Sequence, residues 1–125
     1  MPPTNAITWF ELPTTDLSRA VAFYETVLNQ KLIEHTEETD EVMHIFPADP
    51  TGLKGALIRR TFMKPGQGGA VIYLNVDGDL DGAIARVPKA GGRMLMPRTT
   101  IPGGYGAYAC FRDTEGNAVG LHSTK

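Results

Sequence analysis

Acid–base, nucleophilic or metal chemistry would fall first to a few residues of this chain. They are three histidines (His35, His44, His122), one cysteine (Cys110) and the strand-borne carboxylate Glu11. Glu11 would act as an acid–base group if burial raised its pKa. Its plainer role is an ion pair with Arg59 or Lys54 at the end of a strand. His35 precedes Glu37 and Glu38 and reads as a solvated surface residue. His122 divides evenly between a pocket group and a C-terminal edge residue. His44 has a face that the sequence leaves open. Cys110, in Tyr108-Ala109-Cys110-Phe111, has no base beside it in sequence and reads as a small buried apolar residue. Glu11 and His122 are therefore the candidates for catalysis, and neither is assigned a step.

Binding groups are better represented. Trp9 and Tyr73 supply broad rings that could stack on a planar or apolar ligand, or fill space as core. Tyr105 sits in Pro102-Gly103-Gly104-Tyr105-Gly106, where glycines allow a mobile loop and the ring could cap a ligand. A plain hairpin connection is the simpler reading. No Gly-Lys-Ser/Thr follows, so this is not a nucleotide loop.

The elements that position these groups emerge from a faint internal repeat. Asp16-Leu17-Ser18-Arg19-Ala20 resembles Asp79-Leu80-Asp81-Gly82-Ala83, and Asp49-Pro50-Thr51-Gly52 resembles Asp113-Thr114-Glu115-Gly116. Two units follow, about 5–60 and 70–124, joined by a flexible connection from Thr61 to Gly69. Each opens with a strand, Ile7–Leu12 and Val71–Val76. A helix comes next, with Asp16 or Asp79 as the N-cap and apolar residues at helical spacing. Pro88 should kink or stop the second helix, and Gly91-Gly92 ends it. Three shorter strands close each unit, near Lys31–Glu37, Glu41–Phe46 and Lys54–Arg60, then Arg93–Pro97, Gly106–Phe111 and Ala118–Ser123. The turns at Asp49–Gly52 and Asp113–Gly116 separate the last two strands of each. Alternation then places Trp9, Glu11, Ala56, Ile58, Tyr73, Asn75, Gly120 and His122 on one concave face. His44 would match Tyr108 in the second copy.

Composition bounds the class. The chain has 125 residues, 42% hydrophobic and 21% charged, and reads as one globular domain spanning 1–125. A net charge of −2 offers no basic surface for nucleic acid. One cysteine cannot make an internal disulfide, which points to a reducing, cytoplasmic setting. The start has no signal-peptide pattern, and no apolar run approaches the ~20 residues that span a bilayer.

The duplicated βαβββ order resembles the vicinal oxygen chelate superfamily of glyoxalases, extradiol dioxygenases, and fosfomycin- and bleomycin-resistance proteins. The local carriers are Glu11-Leu12-Pro13 with Asp16–Ala20 and Phe23-Tyr24, and Phe111-Arg112-Asp113-Thr114-Glu115-Gly116-Asn117. The resemblance implies an α+β fold of two such units, forming a curved mixed sheet with helices outside. It puts the family's metal-ligand positions at Trp9, Ala56, Tyr73 and Gly120, none a usual ligand. The expectation is a metal-free protein, with no cofactor, that binds a small apolar or planar ligand. Trp9, Glu11, His44, Ile58, Tyr73, Asn75, Tyr105 and His122 would line the site. The alternative is a lyase, isomerase or dioxygenase holding a divalent metal through unorthodox ligands such as Glu11, His44 and His122. Family members often complete the cavity with a second chain, so a homodimer is expected.

Overall fold

The computed structural model describes residues 2–36 and 42–125. Glu37, which ends the expected second strand, and Glu41, which begins the third, lie outside the described residues, as does Glu38.

The first unit runs β1 (Trp9–Pro13), α1 (Leu17–Leu28), β2 (Ile33–Thr36), β3 (Val42–Ile45) and β4 (Lys54–Ile58). The second runs β5 (Tyr73–Asn75), α2 (Leu80–Lys89), β6 (Arg93–Thr100), β7 (Ala107–Arg112) and β8 (Ala118–Ser123). Each forms a four-stranded mixed sheet, ordered β1-β4-β3-β2 and β5-β8-β7-β6. The first strand of each unit lies parallel to the last, and the other pairs are antiparallel.

Helix α1 forms because Ala20, Phe23, Tyr24 and Val27 recur on one stripe and bury it. The Asp16 carboxylate accepts the Arg19 amide at 3.1 Å, and Asn29 closes the helix in the left-handed region at φ 54°. Helix α2 buries Leu80, Ala83 and Val87. It runs through Pro88 to Lys89, past the expected stop, because Pro88 falls in the last turn. The Ala90 amide still reaches the Arg86 carbonyl at 3.0 Å.

One apolar core joins the units. Leu12 and Leu57 of the first sheet, Phe46 just past β3, and Leu74, Phe111 and Leu121 of the second meet both helices there. Polar clasps run beside it. Tyr24 Oη donates to Asp113 Oδ2 at 2.7 Å, and Asn117 Nδ2 donates to the Pro13 carbonyl at 2.8 Å. Glu115 accepts the Thr15 and Asp16 amides at 2.8 and 2.7 Å and pairs with Arg19 at 2.8 Å. The connection between units is tied down more than its glycines suggested. Met63 packs on the first sheet, and the Gly66 amide donates to Asn117 Oδ1 at 3.1 Å.

The helices and core cover one face of each sheet. The opposite face of each carries the alternate residues, which include the exposed apolar groups Trp9, Ile33 and Tyr73.

Candidate functional site

Strand register assigns each candidate to a face, because cross-strand partners share one. In the second unit, Tyr73 stands opposite Gly120, Asn75 opposite His122, Cys110 opposite Gly120 and Tyr108 opposite His122. All six lie away from the core, on one open face.

Tyr73 lies flat across Gly120. A Cβ on Gly120 would fall 2.2 Å from the ring, so only glycine lets the ring rest there. Tyr108 meets Tyr73 edge-on, with centroids 5.9 Å apart and planes at 75°. Tyr73 remains 50% exposed, with one broad side free. The Cys110 thiol is 3.9 Å from its hydroxyl; this contact first, then burial, raises the Tyr73 pKa and keeps the phenol protonated. Asn75 accepts the Asp77 amide with Oδ1 at 2.9 Å, which leaves its Nδ2 hydrogens to donate. His122 Nε2 sits 2.9 Å from the Tyr105 carbonyl oxygen, where it donates. That bond moors the Pro102–Gly106 loop, while the Tyr105 ring points to solvent, 68% exposed.

The matching face of the first sheet is filled by its own chain. Met43, Ala56 and Ile58 are buried there, with Ile45 and Met63 packed on them. Ile58, expected to line a site, has no exposed surface. Glu11 lies opposite Ala56 and pairs with Arg60, not with Arg59 or Lys54. Arg59 donates to the Thr15 carbonyl at 3.1 Å, and Lys54 to the Asp49 carbonyl at 2.7 Å. Trp9 Nε1 donates to Glu11 at 3.1 Å, which tethers a ring that is 39% exposed.

Trp9 and Tyr73 are not matched positions. Glu11 stands opposite Ala56 as Tyr73 stands opposite Gly120, so Glu11 is the counterpart of Tyr73. An added residue between β5 and α2, where Gly78 adopts φ 84°, displaces the helices from the strand alignment. His44 is placed differently as well. It pairs with Leu57, a core residue, and so lies on the helix side of its sheet. Its counterpart is Ala109, which pairs with Leu121, rather than Tyr108. Among the described residues its buried Nδ1 has no hydrogen-bond partner. The structure therefore brings Tyr73, Asn75 and His122 together, sets Trp9, Glu11 and Ile58 on the other sheet, and separates His44 from all of them. Tyr108 and Cys110 were not chosen from sequence, although alternation along β7 carries that information.

This donor set does not fit a divalent metal. Ala56 and Gly120 have no donor, Trp9 has only an N–H, and Glu11 is held by Arg60 and Trp9. Among the described residues, no three His, Cys, Asp or Glu side chains gather to hold an ion.

A cleft of about 440 Å³ separates the units beside this face. Tyr73 and Asn75 border it on one side, and Phe10, Phe46, Leu53 and Lys54 on the other. Among the described residues, no helix is long and apolar enough to cross a membrane.

Comparison with known proteins agrees with this architecture. A glyoxylase-like domain-containing protein of Didymella fabae is 30% identical over 127 residues, covering 89% of this chain and 88% of that protein. A glyoxalase-related enzyme from Fulvimarina pelagi shares the fold at TM-score 0.70 and 17% identity, over 94% of this chain and 86% of that one. An antibiotic-binding protein from Streptomyces sp. CB03234 does so at TM-score 0.68 and 22% identity, over 98% of both chains. A fosfomycin resistance protein from Listeria monocytogenes has TM-score 0.67 and 18% identity, over 97% of this chain and 94% of that one. Residues 6–121 match the profile of one family, and the chain belongs to the Glyoxalase/Bleomycin resistance protein/Dioxygenase superfamily.

Proposed function

We propose that this protein binds a small planar or apolar molecule on the open face of its second sheet, without using a metal. The observation that carries this is the Tyr73 ring laid over Gly120, braced by Tyr108 and free on its outer side. A pre-set aromatic wall loses little entropy when a ligand stacks on it. Asn75 supplies a donor beside it, and Tyr105 rides on a loop moored by His122. The antibiotic-binding likeness among the structural relatives agrees with a binding role.

A second copy of the chain is the proposed cover for the open faces. Trp9, Ile33, Val71, Tyr73, Leu95 and Met96 are large apolar groups exposed on a single chain. Trp9 would then act from the first sheet, whose face is otherwise filled. Sedimentation at micromolar concentration should give a dimer, and a monomer there would sink the assembly.

The binding reading is tested by native mass spectrometry of freshly purified protein, with Trp9→Ala and Tyr73→Ala beside it. A retained organic ligand should be lost from Tyr73→Ala at a melting shift of only a few degrees. Unfolding of both variants would instead make the rings core. A stoichiometric divalent metal retained by protein purified without an affinity tag would refute the metal-free account.

A further inference from the structure

The open face of the second sheet carries a charge arrangement that the described residues leave unmatched. Arg93 on β6 stands directly opposite Arg112 on β7. The next pair along, Met94 and Phe111, turns into the core, so both arginines leave their strands on the open side, and the Arg112 guanidinium reaches towards Gly116 of the following turn. Like charges directly opposite across strands are destabilising. Neither guanidinium has an ion pair or side-chain hydrogen bond among the described residues. The acids nearest in sequence are committed elsewhere. Asp113 accepts from Tyr24 and Asn117, and Glu115 holds Arg19 and the start of α1.

The arginines belong to the same surface as the aromatic wall. Arg112 follows Cys110 by one two-residue step on β7, about 7 Å along the strand, and the Cys110 thiol touches the Tyr73 hydroxyl. Between them the floor is low, formed by Gly120 and by Ala118, which stands opposite Arg112. A planar body resting on Tyr73 can therefore reach the guanidinium pair with a substituent at its far end. Two forked donors carried at paired positions of neighbouring strands suit an oxyanion, because each can bond two oxygens in one plane.

We propose that the ligand of this face carries an oxyanion, a carboxylate or a phosphate monoester, bound by Arg93 and Arg112 while its planar body stacks on Tyr73. This rests on the reading that the face binds small molecules. The test uses the full chain and three probes of one shape: 2-naphthoate, 2-naphthyl phosphate and the neutral 2-naphthamide. Calorimetric titration at low salt should show at least one anion binding tenfold or more tighter than the amide, and the tighter anion identifies the group. The double variant R93Q/R112Q should lose that preference, with amide affinity and sedimentation unchanged. Equal affinity for all three probes overturns the oxyanion assignment and leaves the binding reading standing. So does a preference that survives in the double variant. Dissociation of the assembly in R93Q/R112Q also overturns it, since the arginines would then serve a second copy. No saturable binding by any probe overturns the binding reading itself, and the oxyanion assignment falls with it.

Discussion

Two glycines show how little a residue's name says without its surroundings. At Gly120 the atoms nearest a Cβ are those of the Tyr73 ring, an exposed side chain that can swing aside. At Gly106 a Cβ would lie 1.9 Å from the Ser123 carbonyl oxygen, and the backbone sits at φ 87°. Gly120→Ala should therefore lower affinity for a stacked ligand about tenfold with little change in melting temperature. Gly106→Ala should cost several degrees, since backbone cannot step away and the conformation disfavours a side chain. Calorimetric melting beside a naphthyl-probe titration separates the two, and equal loss of stability would refute the contrast. Glu115 makes a second residue-scale case. Burial pushes its pKa up, but Arg19, the Asp16 and Thr15 amides and the Thr114 hydroxyl outweigh that and hold it at about 2, below the usual 4.5. A carboxyl that ionises more readily when folded favours the folded chain wherever it is ionised. The gain is complete above the ordinary range and is lost as pH falls from about 4.5 towards about 2. Its full size is on the order of 2–3 kcal/mol. Glu115→Gln should lower stability at neutral pH by about 2 kcal/mol and flatten the loss of stability over that acid window. An unchanged acid profile would count against this role.

At the scale of elements the two helices invite comparison, because sequence gives them the same cap. Asp16 does cap α1, through its bond to the Arg19 amide. Asp79 makes no side-chain cap bond and turns to Arg86 instead. Asp16→Ala should cost about 1 kcal/mol and Asp79→Ala less than half of that, measured by denaturant unfolding; equal losses would contradict the geometry. The pair also shows what was legible in the chain. The repeat disclosed both helices, the order of the strands and the core face of β1, β4, β5 and β8, because those depend on local period. It did not disclose how the copies align. Small offsets between the first strands, the middle strands and the last strands change the pairing, and a one-residue change moves a side chain to the other face. His44 is on the helix side for that reason, and Trp9 matches Val71 rather than Tyr73. Tyr73, Asn75 and His122 were found together because β5 and β8 pair in simple parallel register without a bulge. Arg60 was missed as the partner of Glu11 because it lies beyond the end of β4, where alternation no longer applies.

For the whole molecule the question is whether two copies of a unit behave as two bodies or one. The contacts favour one. The core takes residues from both sheets and both helices, and Phe23 of α1 packs on Phe111 of β7 at 5.6 Å. The polar clasps cross the same boundary, with Tyr24 on Asp113, Arg19 on Glu115 and Pro13 on Asn117. Neither unit can keep its helix stripe buried alone, since a four-stranded sheet with one helix leaves that stripe partly bare. The whole chain should therefore unfold in one cooperative step. Tyr24→Phe tests the coupling at its centre. The Asp113 carboxylate would keep the Asn117 amide at 3.2 Å and two backbone N–H groups, so the loss should be about 1–2 kcal/mol rather than collapse. That loss should fall on both units at once. Trp9 fluorescence reports the first sheet, and amide exchange along β7 and β8 reports the second. In Tyr24→Phe the two should shift together by the same free energy. Separate midpoints, or a shift confined to one unit, would mean that the copies fold independently and that the shared core is a contact between two domains.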